Sequence, residues 1–209
     1  ACEFCFVSTH LPPAAEAARA PKGCDGVDAD AAEDTRVTGV LLRHYGITTR
    51  PLSLHEHNES ARATQIVAQL GAGRSVALVS DAGTPAVSDP GAHLVRAVRD
   101  AGFPVVPIPG ANAAIAAISA AGLVAGQFLF LGFLPKAAKA RRELLAAVAR
   151  LPFALVVYEA PHRVRDTVAH LVANGRRAFV DCEHFFDGFR YDPDYTASVV
   201  QAAFEAGAE

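Results

Sequence analysis

Carboxylates, hydroxyls and glycines crowd the ends of two apolar runs in this chain. Val76–Val79 empties into Asp81-Ala82-Gly83-Thr84-Pro85 and then Ser88-Asp89-Pro90-Gly91, and Val105–Ile108 empties into Pro109-Gly110-Ala111-Asn112. Gly83 removes a side chain, Thr84 and Asp81 supply a hydroxyl and a carboxylate, and Pro85 sets the exit of the turn. Backbone N–H and C=O groups left open at the carboxyl edge of a sheet are where open α/β folds take small molecules. Ser88-Asp89-Pro90-Gly91 also reads as the N-cap and first turn of the next helix. A Walker loop and a GxGxxG turn are both absent, so these loops do not point to nucleotide phosphates.

Three other groupings carry chemistry. His55-Glu56-His57 places two imidazoles on alternate residues, which on a strand could reach one ion, but no third ligand is apparent and no metal is expected. Cys2-Glu3-Phe4-Cys5 has the spacing of a redox pair or half a zinc site, with Cys24 and His10 as the nearby ligands; the plainer reading is reduced thiols near a frayed terminus. Lys136, Lys139, Arg141 and Arg142 form the clear basic cluster, either a solvated helix face or a contact for an RNA backbone.

The elements that must hold these groups follow from periodicity and punctuation. Residues 12–30 read as a Pro-, Ala- and Gly-rich loop, and from Ala31 the pattern sharpens. Helices are expected over 37–44, 60–70, 91–101, 112–121, 136–150 and 161–174, and strands over 52–54, 76–79, 105–108, 128–133 and 153–158. Strands alternating with helices through short connections imply a parallel sheet with crossover helices. The break near 123–127 reads as a domain junction. At 209 residues, half of them apolar, the chain can form one large domain or two small ones. A net charge of −3 gives no global nucleic-acid footprint and excludes no local basic patch. No stretch reads as a membrane span or signal peptide, so a cytoplasmic protein is expected. The chain has no Met, consistent with a clipped start or a fragment.

Several motifs fall in order along the chain: Ala31-Ala32-Glu33-Asp34-Thr35-Arg36, Leu54-His55-Glu56-His57-Asn58-Glu59, Ser80-Asp81-Ala82-Gly83-Thr84-Pro85, Ser88-Asp89-Pro90-Gly91, Pro107-Ile108-Pro109-Gly110-Ala111-Asn112, Gly132-Phe133-Leu134-Pro135 and Tyr158-Glu159-Ala160-Pro161-His162-Arg163. Over about residues 30–180 the chain thereby resembles the bacterial small-subunit ribosomal RNA (cytidine-2′-O)-methyltransferases of the tetrapyrrole methylase superfamily. The resemblance implies a tetrapyrrole-methylase-like α/β fold of two domains with a cofactor cleft between them. An atypical segment at 1–30, a cofactor-binding domain at 31–122, a partial second domain at 127–180 and a tail at 181–209 would make up the chain.

It further implies S-adenosylmethionine (S-adenosyl-L-methionine) as cofactor, small ribosomal subunit RNA as partner, and a homodimer. Cofactor contacts carry over to Asp81, Ala82, Gly83, Thr84, Val87, Gly110, Asn112 and Ala113, with the Gly132–Pro135 and Glu159–Arg163 segments closing the cleft. Methyl transfer needs a ribose 2′-oxygen aligned with a sulfonium methyl and relieved of its proton. Candidate bases are Glu33, Asp34, His55, His57 and Glu159, and Arg36 and Arg163 suit phosphate or an oxyanion. Glu33 with Arg36 also reads as a local salt bridge. Both ends depart from the family. Phe6 to Pro13 stand where the family has a Thr-Pro-x-Gly-Asn turn, and 180–209 is similar to a strand–loop–helix piece of the citramalate and isopropylmalate synthases. A strand over 178–182 and a helix over 195–206 are expected there. Two alternatives stand beside the RNA methyltransferase: a non-catalytic cofactor-binding domain, and a small-molecule methylase.

Overall fold

The computed structural model describes residues 28–55, 57–123 and 126–209, and the backbone of residues 4–8. The expectations about Cys2, His10, Cys24, Glu56 and the turn after Ser8 fall outside the described residues. The chain divides into two compact units, Ala1–Asn112 and Ala113–Glu209.

The first unit is built on a parallel five-stranded sheet of β1 (Phe4–Ser8), β2 (Ala29–Ala32), β3 (Leu52–Ser53), β4 (Val76–Ser80) and β5 (Val105–Val106), in the order β3-β2-β4-β1-β5. Every residue of β2 and β4 is buried, which is why β4 reads as an unbroken apolar run rather than an alternation. The register sets Ala32 against Val79 and Ser8 against Ser80, so the chain leaves β1, β2 and β4 at the same edge. Because all pairs are parallel, the loops after β3 and β5 emerge at that edge as well.

Helices α1 (Thr35–His44), α2 (Glu59–Gly71) and α3 (Ala92–Asp100) are the crossovers of this unit. In α2, Ala63, Ile66 and Leu70 recur at helical spacing and are buried; Leu94 and Val98 do the same in α3. These side chains meet Ala31, Leu54, Val76 and Leu78 in one core. Glu59, at the first position of α2, is buried and accepts from the Leu94 N–H at 3.0 Å. It thereby satisfies an orphan donor at the start of α3 and fixes that helix beneath the loop leaving β4.

The second unit holds α4 (Ala113–Ala120), the parallel pair β6 (Phe128–Phe133) and β7 (Ala154–Tyr158), and the crossover helix α5 (Ala138–Val148). A single 3-10 turn (Pro161–Arg163) leads into α6 (Val164–Ala173), and α7 (Phe185–Tyr191) and α8 (Pro193–Glu205) follow. The helix α4 packs on β7, and α8 packs on α6 and α7.

Five local expectations change, the first being that Gly91, not Ser88 or Asp89, is the N-cap of α3 and Pro90 is not in its first turn, because the helix starts at Ala92. Residues 29–32, read as the end of a loop and the approach to a helix, form β2: Ala and Asp are poor strand formers, and flanking by β3 and β4 imposes the pairing. No strand forms over 178–182, where the Ala178 carbonyl instead accepts from the Glu209 N–H at 2.8 Å. Arg177 pairs with Glu209 across the same junction. The segment expected to be a loop before Arg190 is α7, stacked through Phe185 and Phe189. Finally, Arg141 leaves the basic face of α5: it is buried and donates to the carbonyls of Pro135 and Lys136 at 3.3 Å each.

Candidate active site

The strand ends of the first unit converge on an acidic cluster. Glu33 continues the β2 ladder, its N–H donating to the Val79 carbonyl at 3.2 Å. Asp34 turns the chain into α1 as its N-cap and accepts from the Arg36 N–H at 2.8 Å. The Arg36 guanidinium then folds back on the same carboxylate, Nε at 3.0 Å and Nη2 at 2.5 Å. Thus the local ion pair joins Asp34 to Arg36, not Glu33 to Arg36.

Asp81, the first residue beyond β4, faces this turn. Its Oδ1 accepts from the Asp34 N–H at 3.2 Å, and its charge bears on the neighbouring Glu33 carboxyl. Two strand ends far apart in sequence are thereby clasped by a carboxylate–amide bond. The charges respond to this arrangement. The Arg36 hydrogen bonds hold the Asp34 carboxyl down at about 2. Burial, followed by the Asp81 and Asp34 charges, pushes the Glu33 carboxyl up. Burial also raises the Asp81 carboxyl, with the Asp34 N–H and Arg36 pulling the other way.

The loop from Asp81 to Gly91 is tightly constrained. Ser80 Oγ donates to the Ala82 carbonyl at 3.1 Å, and the Val87 N–H donates to the Thr84 carbonyl at 3.2 Å. Gly83 sits at φ +66°, and a Cβ there would enter open space. Gly91 sits at φ +130°, with Leu78 Cδ2 only 2.7 Å from where its Cβ would lie. Ala86 and Ser88 both adopt φ 65°, a left-handed backbone that costs alanine and serine energy. Nothing in the residue types announces this, because the usual markers are Gly, Asn and Asp. Val87 lies between them, 37% exposed.

His55 follows β3, which runs beside β2: the Leu54 N–H donates to the Ala32 carbonyl at 2.8 Å. The two imidazoles do not sit on a strand, since β3 ends at Ser53 and the chain turns into α2. Asn58 holds that turn, accepting from the His55 N–H at 2.9 Å and reaching His55 Nε2 at 3.1 Å. Among the described residues no group of three or more His, Cys, Asp or Glu side chains could hold a metal. Gly110 and Asn112 leave the sheet at β5, beyond β1 from the Asp81 loop.

Ala113 and Glu159 belong to the second unit. Glu159 is buried and saturated: it pairs with Arg163 at 2.6 Å, accepts from Thr167 Oγ1 at 2.8 Å and accepts from the Ala160 N–H at 2.9 Å. Thr167, unremarked in the sequence, completes this arrangement. Arg163 Nε and Nη1 are buried without a partner among the described residues.

The chain matches the family described as Tetrapyrrole (Corrin/Porphyrin) Methylases over residues 14–202. It is 51% identical over 155 residues to the Ribosomal RNA small subunit methyltransferase I of Escherichia coli O157:H7, covering 74% of this chain and 54% of that protein. To the protein of the same name from Synechocystis sp. it is 48% identical over 153 residues, 73% and 55% of the two chains. Against that of Vibrio cholerae the figures are 48% over 156 residues, 74% and 54%. The chain therefore spans about half the length of the curated relatives it matches.

Proposed function

Since the chain belongs to the tetrapyrrole (corrin/porphyrin) methylases, we propose that it methylates a ribose 2′-oxygen in small-subunit ribosomal RNA with S-adenosylmethionine. The observation that carries this reading is the Asp34–Asp81 bond, which brings the Glu-Asp-Thr-Arg motif and the Asp-Ala-Gly-Thr loop to one point on the sheet edge. The relatives' printed name supplies the substrate class.

The residues fit such a cofactor. Open space beyond Gly83 leaves the loop backbone accessible, and the Asp81 carboxylate complements a cationic ligand. Asp81, Ala82, Gly83, Thr84 and Val87 would hold it, with Gly110 and Asn112 as further contacts. The cofactor contributes an electrophilic methyl on a sulfonium. The protein's task is to orient the ribose hydroxyl and receive its proton.

Among the candidate bases, Glu33 is best suited. Its carboxyl is raised by burial and by neighbouring carboxylates, whereas Asp34 is held low by Arg36. The Glu159 carboxylate is occupied by Arg163 and Thr167, which makes it a positioning residue for Arg163. His55 is engaged by Asn58 and serves better to shape the edge.

Calorimetry with S-adenosylmethionine, followed by transfer of labelled methyl to small ribosomal subunits, tests the reading. Saturable binding and transfer to ribosomal RNA are expected. Absence of binding at millimolar ligand would refute it, and binding without transfer would return the chain to a cofactor-binding role. Sedimentation of the same sample tests the homodimer that belongs to this proposal. Among the described residues no helix is long and apolar enough to cross a membrane.

A further inference from the structure

The end of β6 departs from the regular ladder. Phe130 pairs with Val156 and Phe133 with Tyr158, so three steps along β6 match two along β7. One extra residue makes a β-bulge, and Gly132 within it adopts φ +63°. Bulges re-aim side chains, and here the outcome is a phenylalanine 59% exposed immediately before a Leu134 that is 2% exposed.

The exposed ring is held in place. Tyr158 lies 5.4 Å from it, centroid to centroid, and is itself braced edge-on by Phe130 at 5.0 Å. Beyond the bulge, the Leu134 N–H rejoins the Tyr158 carbonyl at 3.2 Å. The buried Arg141 guanidinium pins the carbonyls of Pro135 and Lys136. A chain so fixed leaves both Phe133 and Lys136 exposed. Between residues 134 and 150 five cationic side chains face one acidic one, and Arg141 alone of the five is turned inward by its carbonyl bonds. Lys139 makes only a 3.9 Å contact with Glu143, both well exposed.

We propose that this strand end is a stacking platform for single-stranded RNA: Phe133 takes the face of a base, and Lys136, Lys139 and Arg142 take the adjoining phosphates. An immobilised aromatic ring beside exposed cations that outnumber the acids is an arrangement that binds unpaired nucleotides. A second copy of this chain is a poorer occupant. A two-fold contact centred on Phe133 would set each copy's cations against their equivalents. The platform rests on the RNA methyltransferase reading and names the part of the chain that would grip the strand.

The test uses the full chain and a fluorescein-labelled single-stranded oligoribonucleotide, titrated by anisotropy without cofactor. Phe133→Ala is expected to weaken binding about tenfold, and Phe133→Trp to retain it. The chain contains no tryptophan, so Phe133→Trp also supplies a lone fluorophore whose emission should be quenched by RNA. Lys136→Ala with Arg142→Ala should lower the slope of log affinity against log salt by about one to two. Unchanged affinity in Phe133→Ala, no RNA binding by the parent chain, or Phe133→Trp emission that responds to protein concentration and not to RNA would each overturn the platform. Failure of the parent chain to bind S-adenosylmethionine would instead overturn the methyltransferase reading, while the anisotropy titration still decides the platform.

Discussion

The backbone N–H of Asp34 donates to Asp81 Oδ1 at 3.2 Å, and the Asp81 charge in turn bears on the neighbouring Glu33 carboxyl. This clasp joins β2 to β4 where the two strands leave the sheet, and it gathers three carboxylates, of which Asp34 and Asp81 feel the Arg36 charge. The electrostatics of the edge follow from it.

Glu33 and Asp81 have carboxyls raised in the folded chain. The folded state therefore keeps protons that the unfolded chain has already released, and stability falls as pH rises from the unfolded carboxylate range through the raised values. Asp81→Asn keeps an oxygen for the clasp, and it and Glu33→Gln each remove a charge. Each should raise Tm at pH 7 by ~1–3 °C, small because solvent screens partly exposed groups. Glu33→Gln should also lower methyl transfer by about a hundredfold. Thermal melts and initial rates check this, and a lowered Tm in both variants would contradict it.

Asp34 has the opposite sign. Its carboxyl is held at about 2 against an ordinary 3.8, so its contribution is complete above 3.8 and is lost as pH falls toward 2. Asparagine caps a helix as well as aspartate does. Asp34→Asn should therefore leave α1 capped while flattening the acid limb of stability, read as Tm against pH. An acid limb identical to that of the parent chain would show that Arg36 does not hold the charge.

Gly91 allows the loop to close onto β4. In Gly91→Ala the new Cβ would lie 2.7 Å from Leu78 Cδ2 at φ +130°. A loss of about 2–4 kcal/mol is expected in urea unfolding. Adding Leu78→Ala removes the collision but not the backbone strain, so the double variant should cost less than the sum of the two. Strict additivity would place the whole effect in the backbone.

In the second unit, Arg163→Met would strand the buried Glu159 carboxylate, at a cost of about 3–5 kcal/mol. Adding Glu159→Gln should recover much of that loss, because the amide no longer brings a charge into the interior. A double variant as unstable as Arg163→Met would mean that packing of the arginine stem, rather than the ion pair, holds this turn.

Much of the edge was legible because its signals are local. The apolar run before Asp81, the glycine in the loop and the carboxylates before α1 each announce a strand end, a turn or a cap within a few residues. Other features were not legible for the same reason. The segment Ala29–Ala32 has almost no intrinsic strand preference and is a strand because β3 and β4 lie on either side of it. Arg141 shares a helix with solvated cations, yet two carbonyls in the preceding turn draw it inward. Ala86 and Ser88 are held left-handed by the loop around them.

By itself the sequence determined the family, the alternation of strands and helices, and the motifs that belong at strand ends. Tertiary structure alone decided which carboxylate Arg36 takes, that Glu33 and Asp81 lean on each other, and that Phe133 stands exposed past a bulge. Chain-local preferences act over a few residues, whereas these contacts depend on strand order and register, which bring residues nearly fifty positions apart within hydrogen-bonding distance.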